Sequence, residues 1–233
     1  MFFDPLYLMI MLPVTLIAIY AQIKVKTTFS KYSQYPNYRG LTGADVASEI
    51  LRNNGIYDVR IERVSGMLSD HYSPTDKTLR LSDGVYDSTS LAAIGVAAHE
   101  AGHTIQHYKA IALMKLWLML ARPAAIISNA AIFMIMIGML IGALGLAQLD
   151  VIFFTIVVIF QIITLPLELD ASNRAKELLF KYNIIQSSDE RKAVAAVLNS
   201  AAFTYLAAAI ASIAQLLYFA LRTGLIGGGN NRD

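Results

Sequence analysis

Two histidines four residues apart flank a glutamate: His99-Glu100-Ala101-Gly102-His103 reads H-E-x-x-H. The surrounding segment, SLAAIGVAAHEAGHTIQHY over residues 90–108, has no proline and is rich in Ala, Leu and Ile, which predicts a helix. On a helix, residues i and i+4 share one face, one turn apart. Both imidazoles can therefore reach one metal ion. Glu100, beside the first of them, can take a proton from a water on that ion. The chain holds four His and six Glu. A shuffled chain of this composition would show the pattern about 0.002 times, so chance is a weak competitor for a motif this specific. The plain alternative is a solvated helix face that carries two His. The apolar flanks argue against it. Gly102 lowers helix propensity, but a position without a side chain lets the backbone lie close to another element or to substrate.

A catalytic zinc needs a third protein ligand and an open position. The chain has no Cys, so disulfides and thiolate ligands are excluded and the ligand must be His, Asp or Glu. His107 continues the i, i+4 series but lies about 12 Å along the helix from His99, which assigns it a supporting role. His71 is remote in sequence and reads as a polar residue of a hairpin. Glu168 stands at the end of an apolar run, two membrane crossings after the H-E-x-x-H helix. It therefore emerges on the same face of the bilayer. A carboxylate that close to lipid is costly unless it is paired or bound to a cation. Asp170 lies on a different helix face from Glu168; it is placed behind the ligands, orienting a ligand His or pairing with Arg174 at i+4.

The composition sets the elements that must position these groups. Of 233 residues, 56% are hydrophobic and 15% charged. Soluble domains carry about 25% charged residues, so this is the composition of a membrane protein. The net charge of +2 gives no reason to expect nucleic acid. Residues 1–23 form a first span, an uncleaved anchor because the basic residues follow rather than precede the apolar run. Residues 24–122 form an α+β segment. In it, 42–54 reads as an amphipathic helix with Thr42 as N-cap and Gly55 as stop, 57–64 as a strand, and 66–82 as a hairpin turning at Ser73-Pro74-Thr75-Asp76. Such a sheet either offers an edge to an extended peptide or only supports the helix. Residues 109–122 suit the membrane surface, with Trp117 at headgroup level. Residues 123–167 form a hairpin of two spans around a tight turn at Gly142, Gly145, Gln148 and Asp150. Residues 168–199 are helical and carry Glu168. Residues 200–222 are a fourth span, and 223–233 a mobile tail. The fold class expected is thus a mostly α integral membrane protein with about four spans and a small α+β domain. Twelve Lys/Arg fall between residues 24 and 122 and five between 174 and 192. This excess puts both polar segments in the cytoplasm and both termini outside.

Asp70-His71-Tyr72, residues 79–82, AAHEAGHTIQ at 97–106 and TLPLELDASNRA at 164–175 together resemble the YugP-type family of bacterial membrane zinc metallopeptidases. The likeness runs from about residue 24 to 175. It implies zinc ligands His99, His103 and Glu168, with Glu100 as catalytic acid/base. More distantly the chain is similar to the HtpX and CAAX-prenyl-protease group. There the third-ligand Glu precedes an Asp by four residues, whereas here Asp170 follows by two. The expected activity is hydrolysis of peptide bonds in membrane proteins or membrane-associated peptides, in a bacterial cell membrane, at its cytoplasmic face. His71, Tyr72 and Arg174 are candidate donors to the tetrahedral oxyanion. A membrane scaffold with a structural zinc, or a zinc hydrolase acting on a small amide or lipid, are the competing readings.

Overall fold

The computed structural model describes residues 4–141 and 144–226. Their order is α1 (Pro5–Tyr32), α2 (Gly43–Asn53), β1 (Arg60–Val64), β2 (His71–Ser73), β3 (Thr78–Ser82), α3 (Asp83–Tyr86), α4 (Leu91–Tyr108), α5 (Ala112–Leu140), α6 (Leu144–Lys181) and α7 (Ser188–Arg222). The chain divides into two compact units. One holds Met1–Tyr20, Leu116–Leu165 and Tyr205–Asp233; the other holds Ala21–Lys115 and Pro166–Thr204.

The second unit is the α+β part. Helix α2 starts where the sequence expects: the Thr42 hydroxyl accepts from Asp45 N, and the Asp45 carboxylate accepts from Thr42 N, closing a capping box. Gly55 follows at φ +75°, a conformation that stops the helix at little cost to glycine. Strands β2 and β3 form the expected hairpin, antiparallel with Tyr72 opposite Leu79. The sheet order is β1-β3-β2, with β1 parallel to β3. The hairpin is reinforced by Asp70, whose carboxylate accepts from Ser82 N at 2.7 Å and Ser82 Oγ at 3.0 Å. Helix α4 is capped by Ser90, whose Oγ accepts from Ala93 N. Its apolar positions join Val46, Ile50, Leu79, Leu81, Ala175, Leu179, Val194 and Leu198 in one core. This core, shared by α2, the sheet, α4, α6 and α7, holds the H-E-x-x-H helix in place.

The first unit is built from long apolar helices. Val151, Tyr218, Phe219 and Ala220 pack with Leu6, Tyr7 and Ile10. The Tyr218 hydroxyl donates to Asp4 at 3.0 Å, and Arg222 pairs with the same carboxylate at 3.1 Å. Among the described residues, three helices are long and apolar enough to cross a membrane: α1, the Val151–Lys181 part of α6, and α7. A fourth arises only if α4 and Ala112–Ser128, bent by 99° at a short break, count as one broken span. The four spans expected from the sequence are thus three by this measure. The second expected span, 123–147, falls on α5 and the start of α6 and includes residues 142–143, which lie outside the described residues, as do 227–233 of the expected tail.

The outer turn is corrected. Gly145, Gln148 and Asp150 lie within α6, which starts at Leu144. Leucine and alanine around them favour helix strongly enough to carry a glycine and an aspartate near the start. Trp117, expected at a headgroup, donates from Nε1 to Thr164 Oγ1 at 3.1 Å.

Candidate metal centre

His99 and His103 project from one face of α4 and Glu168 from α6. Their ligand-type atoms converge. His99 Nε2 and His103 Nε2 are 3.1 Å apart, and Glu168 Oε2 lies 3.2 Å from the first and 3.4 Å from the second. A tetrahedral ion with ligand bonds of about 2.0–2.1 Å has ligand–ligand edges of about 3.3 Å, so this triangle has the size of one face of such a site. The imidazoles stand at 85° to each other, which lets both rings aim a nitrogen at one point. Among the described residues, these three form the one group of His, Asp or Glu side chains that could hold a metal ion.

The polarity of the triangle supports the fit. Each ring nitrogen turned away from it has its own partner. His103 Nδ1 lies 2.9 Å from Gln106 Oε1, and His99 Nδ1 lies 3.2 Å from Ser172 Oγ. A neutral imidazole carries one N–H. With those protons on the Nδ1 atoms, both Nε2 lone pairs and a carboxylate oxygen face one another. Three acceptors crowded together repel unless a cation sits among them. The donor set, two imidazoles and a carboxylate, suits zinc.

Glu100 is 8% exposed, and its backbone carbonyl accepts from Thr104 Oγ1 at 3.0 Å. Burial pushes its carboxyl above the ordinary range; the imidazoles of His99 and His103 pull the other way, and the carboxylates of Glu168 and Asp70 add to the rise. A carboxyl moved toward neutrality exchanges protons more readily at working pH. Asp70, half-buried, is also raised by burial despite its bonds from Ser82.

Gly102 explains how α4 and α6 come close enough. A Cβ there would lie 2.9 Å from the carbonyl oxygen of Ala171, so only glycine allows this approach one residue before His103.

The remaining sequence candidates have hydrogen-bond partners of their own outside the triangle. His71 is exposed on β2, with Nδ1 2.8 Å from the carbonyl of Ser69. The Tyr72 hydroxyl is 2.9 Å from His107 Nδ1, and burial pushes the phenol up to about 12. His107 is thereby engaged away from the triangle. Arg174 Nε donates to Asp170 Oδ2 at 2.6 Å, the i, i+4 pair expected from the sequence. None of His71, Tyr72 and Arg174 bonds to His99, His103 or Glu168. Gln106 and Ser172 were missed: their roles depend on how α4 meets α6, and Gly102 is the only sequence signal of that approach.

Comparison with known proteins agrees with this geometry. The profile of a family described as "putative neutral zinc metallopeptidase" matches residues 7–224. The chain is 42% identical over 205 residues, 88% of this chain and 91% of the other, to the "putative membrane protease YugP" of Bacillus subtilis (strain 168). No solved structure matches. A half-buried triangle of two histidines and a glutamate on a membrane-type scaffold, matched by a family profile over nearly all its length, places this chain in that neutral zinc metallopeptidase family.

Proposed function

We propose that the protein is a zinc-dependent endopeptidase that cleaves membrane proteins or membrane-associated peptides, with its site at the cytoplasmic face. The observation that carries this reading is the triangle of His99 Nε2, His103 Nε2 and Glu168 Oε2 with the buried Glu100 beside the first ligand. His99, His103 and Glu168 hold the ion, and zinc bound there supplies acidification of water to a pKa of about 7 and polarisation of the scissile carbonyl. Glu100 takes the proton of the attacking water and returns it to the departing amine. Strand β2 lies at the edge of its sheet and packs against α4 through Tyr72 and His107. An extended substrate adds to that edge as a further strand, which presents its backbone to the site. The sequence of the Bacillus subtilis relative carries the membrane-protease description, and the three apolar helices of this chain agree with it.

A structural zinc would need a fourth protein ligand. Among the described residues the group has three members, which leaves a position for water and favours catalysis over scaffolding. The test is Glu100→Gln in purified, zinc-loaded protein. Cleavage of a susceptible membrane protein falls by about 10²–10⁴-fold while bound zinc is unchanged. Wild-type rates from the zinc-loaded variant would remove Glu100 from the mechanism.

A further inference from the structure

We propose that Gln106 is a positioning residue for the metal centre, fixing His103 as the tautomer whose bare Nε2 faces the ion and clamping α4 to the stretch of α6 that carries Glu168. The inference rests on the metallopeptidase reading and adds a residue to it. Gln106 is fully buried, with 0% exposure. Its Nε2 donates to two groups on α6: the Leu167 carbonyl at 2.9 Å and Asp170 Oδ2 at 2.8 Å. Both are pure acceptors, and they flank Glu168 in sequence. They use both amide protons and so decide which way the amide points. The opposite flip would turn Oε1 against a carbonyl and a carboxylate, three acceptors in a buried space. With the amide fixed, Oε1 faces His103 Nδ1 at 2.9 Å and can only accept. The proton therefore sits on Nδ1, and the Nε2 lone pair points into the triangle. Arg174 Nε donates to the same Asp170 Oδ2 at 2.6 Å and fixes that oxygen in place, so the orientation runs from Arg174 through Asp170 and Gln106 to His103.

This arrangement links the two ligand-bearing helices by hydrogen bonds rather than by the ion alone. Partners that orient a ligand imidazole change metal affinity by about 10–100-fold when removed. Gln106→Met keeps the length of the side chain and removes its polar atoms. Thr104→Val, equally buried on the same helix and outside this chain of bonds, controls for general disturbance of the core. Asp170→Ala removes one of the two acceptors that orient the amide while the Leu167 carbonyl keeps the other.

The experiment measures zinc dissociation constants of the full-length proteins in detergent by competition with a chromophoric chelator, and the visible absorption of the cobalt(II) forms. Wild type binds zinc, Gln106→Met binds about 10–100-fold more weakly with altered cobalt bands, Asp170→Ala falls between, and Thr104→Val matches wild type. Zinc binding by Gln106→Met equal to wild type would overturn the positioning role and leave the metallopeptidase reading intact. An equal loss in Thr104→Val would overturn it too, since the effect would then be one of packing. Failure of wild type to bind zinc would instead overturn the reading beneath it.

Discussion

Glu168 is the residue on which the metal centre is most exposed to test. It supplies the single negative charge among the three converging atoms and comes from a different helix than the two imidazoles. Glu168→Gln keeps its shape and removes that charge. We expect zinc content after dialysis to fall from near one per chain to near zero, with helical content preserved. Full retention of zinc would dismiss Glu168 as a ligand. The residue was legible from the sequence because a carboxylate at the foot of an apolar run needs a partner, and because the two crossings expected before it would return the chain to the same face. His99 and His103 were legible from spacing alone. Gln106 and Ser172 were not: an amide and a hydroxyl have no spacing rule, and what they bind depends on a contact between α4 and α6.

Among the elements, two contacts lend themselves to stability measurements. Gly102→Ala would place a methyl 2.9 Å from the Ala171 carbonyl, a backbone atom that cannot swing aside. Overpacking of this kind costs about 1–3 kcal/mol. A lower melting temperature and weaker zinc binding should appear together, because the same shift separates the ligands. Unchanged zinc affinity would show that α6 can move without disturbing the triangle. Helix α2 offers the second case. Bonds from Thr42 hold the Asp45 carboxyl below its ordinary value of 3.8, against a smaller effect of burial. A lowered folded pKa gives stability that is present above the unfolded value and lost as pH falls through the folded one. Asp45→Asn should therefore narrow the difference from wild type in acid, while near neutrality it costs about 1 kcal/mol, as losses of caps do. Stability curves against pH check both. The start and stop of α2, and the hairpin, were legible because caps and turns are written in local residue types. The parallel pairing of β1 with β3 was not, because the alternating residues of β1 fit either neighbour direction.

At the scale of the molecule, orientation in the bilayer is the open expectation, carried by the excess of Lys and Arg in residues 24–122 and 174–192. The natural absence of cysteine makes it accessible to labelling. Thr75→Cys sits on the exposed turn between β2 and β3, and Gly145→Cys meets nothing within 4 Å. In intact cells a membrane-impermeant maleimide should modify the second and spare the first, with Thr75→Cys reacting only after permeabilisation. The reverse pattern would invert the topology. Three of the four expected spans were legible as uncharged runs, whereas the turn before α6 was drawn too long, since glycine and aspartate punctuate a helix start as readily as a loop.

The proposed ligands come from distant parts of the chain. His99 and Glu168 are 69 residues apart, so an ion between them staples shut a loop that includes all of α5. Closing a long loop withdraws freedom from the unfolded chain, and an ion that binds only the folded form stabilises it by about 2.7 kcal/mol when free metal is a hundred times its dissociation constant. With zinc in the triangle as proposed, the heat resistance of this protein is a reading of the metal around it, and a cell starved of zinc would lose the folded chain itself.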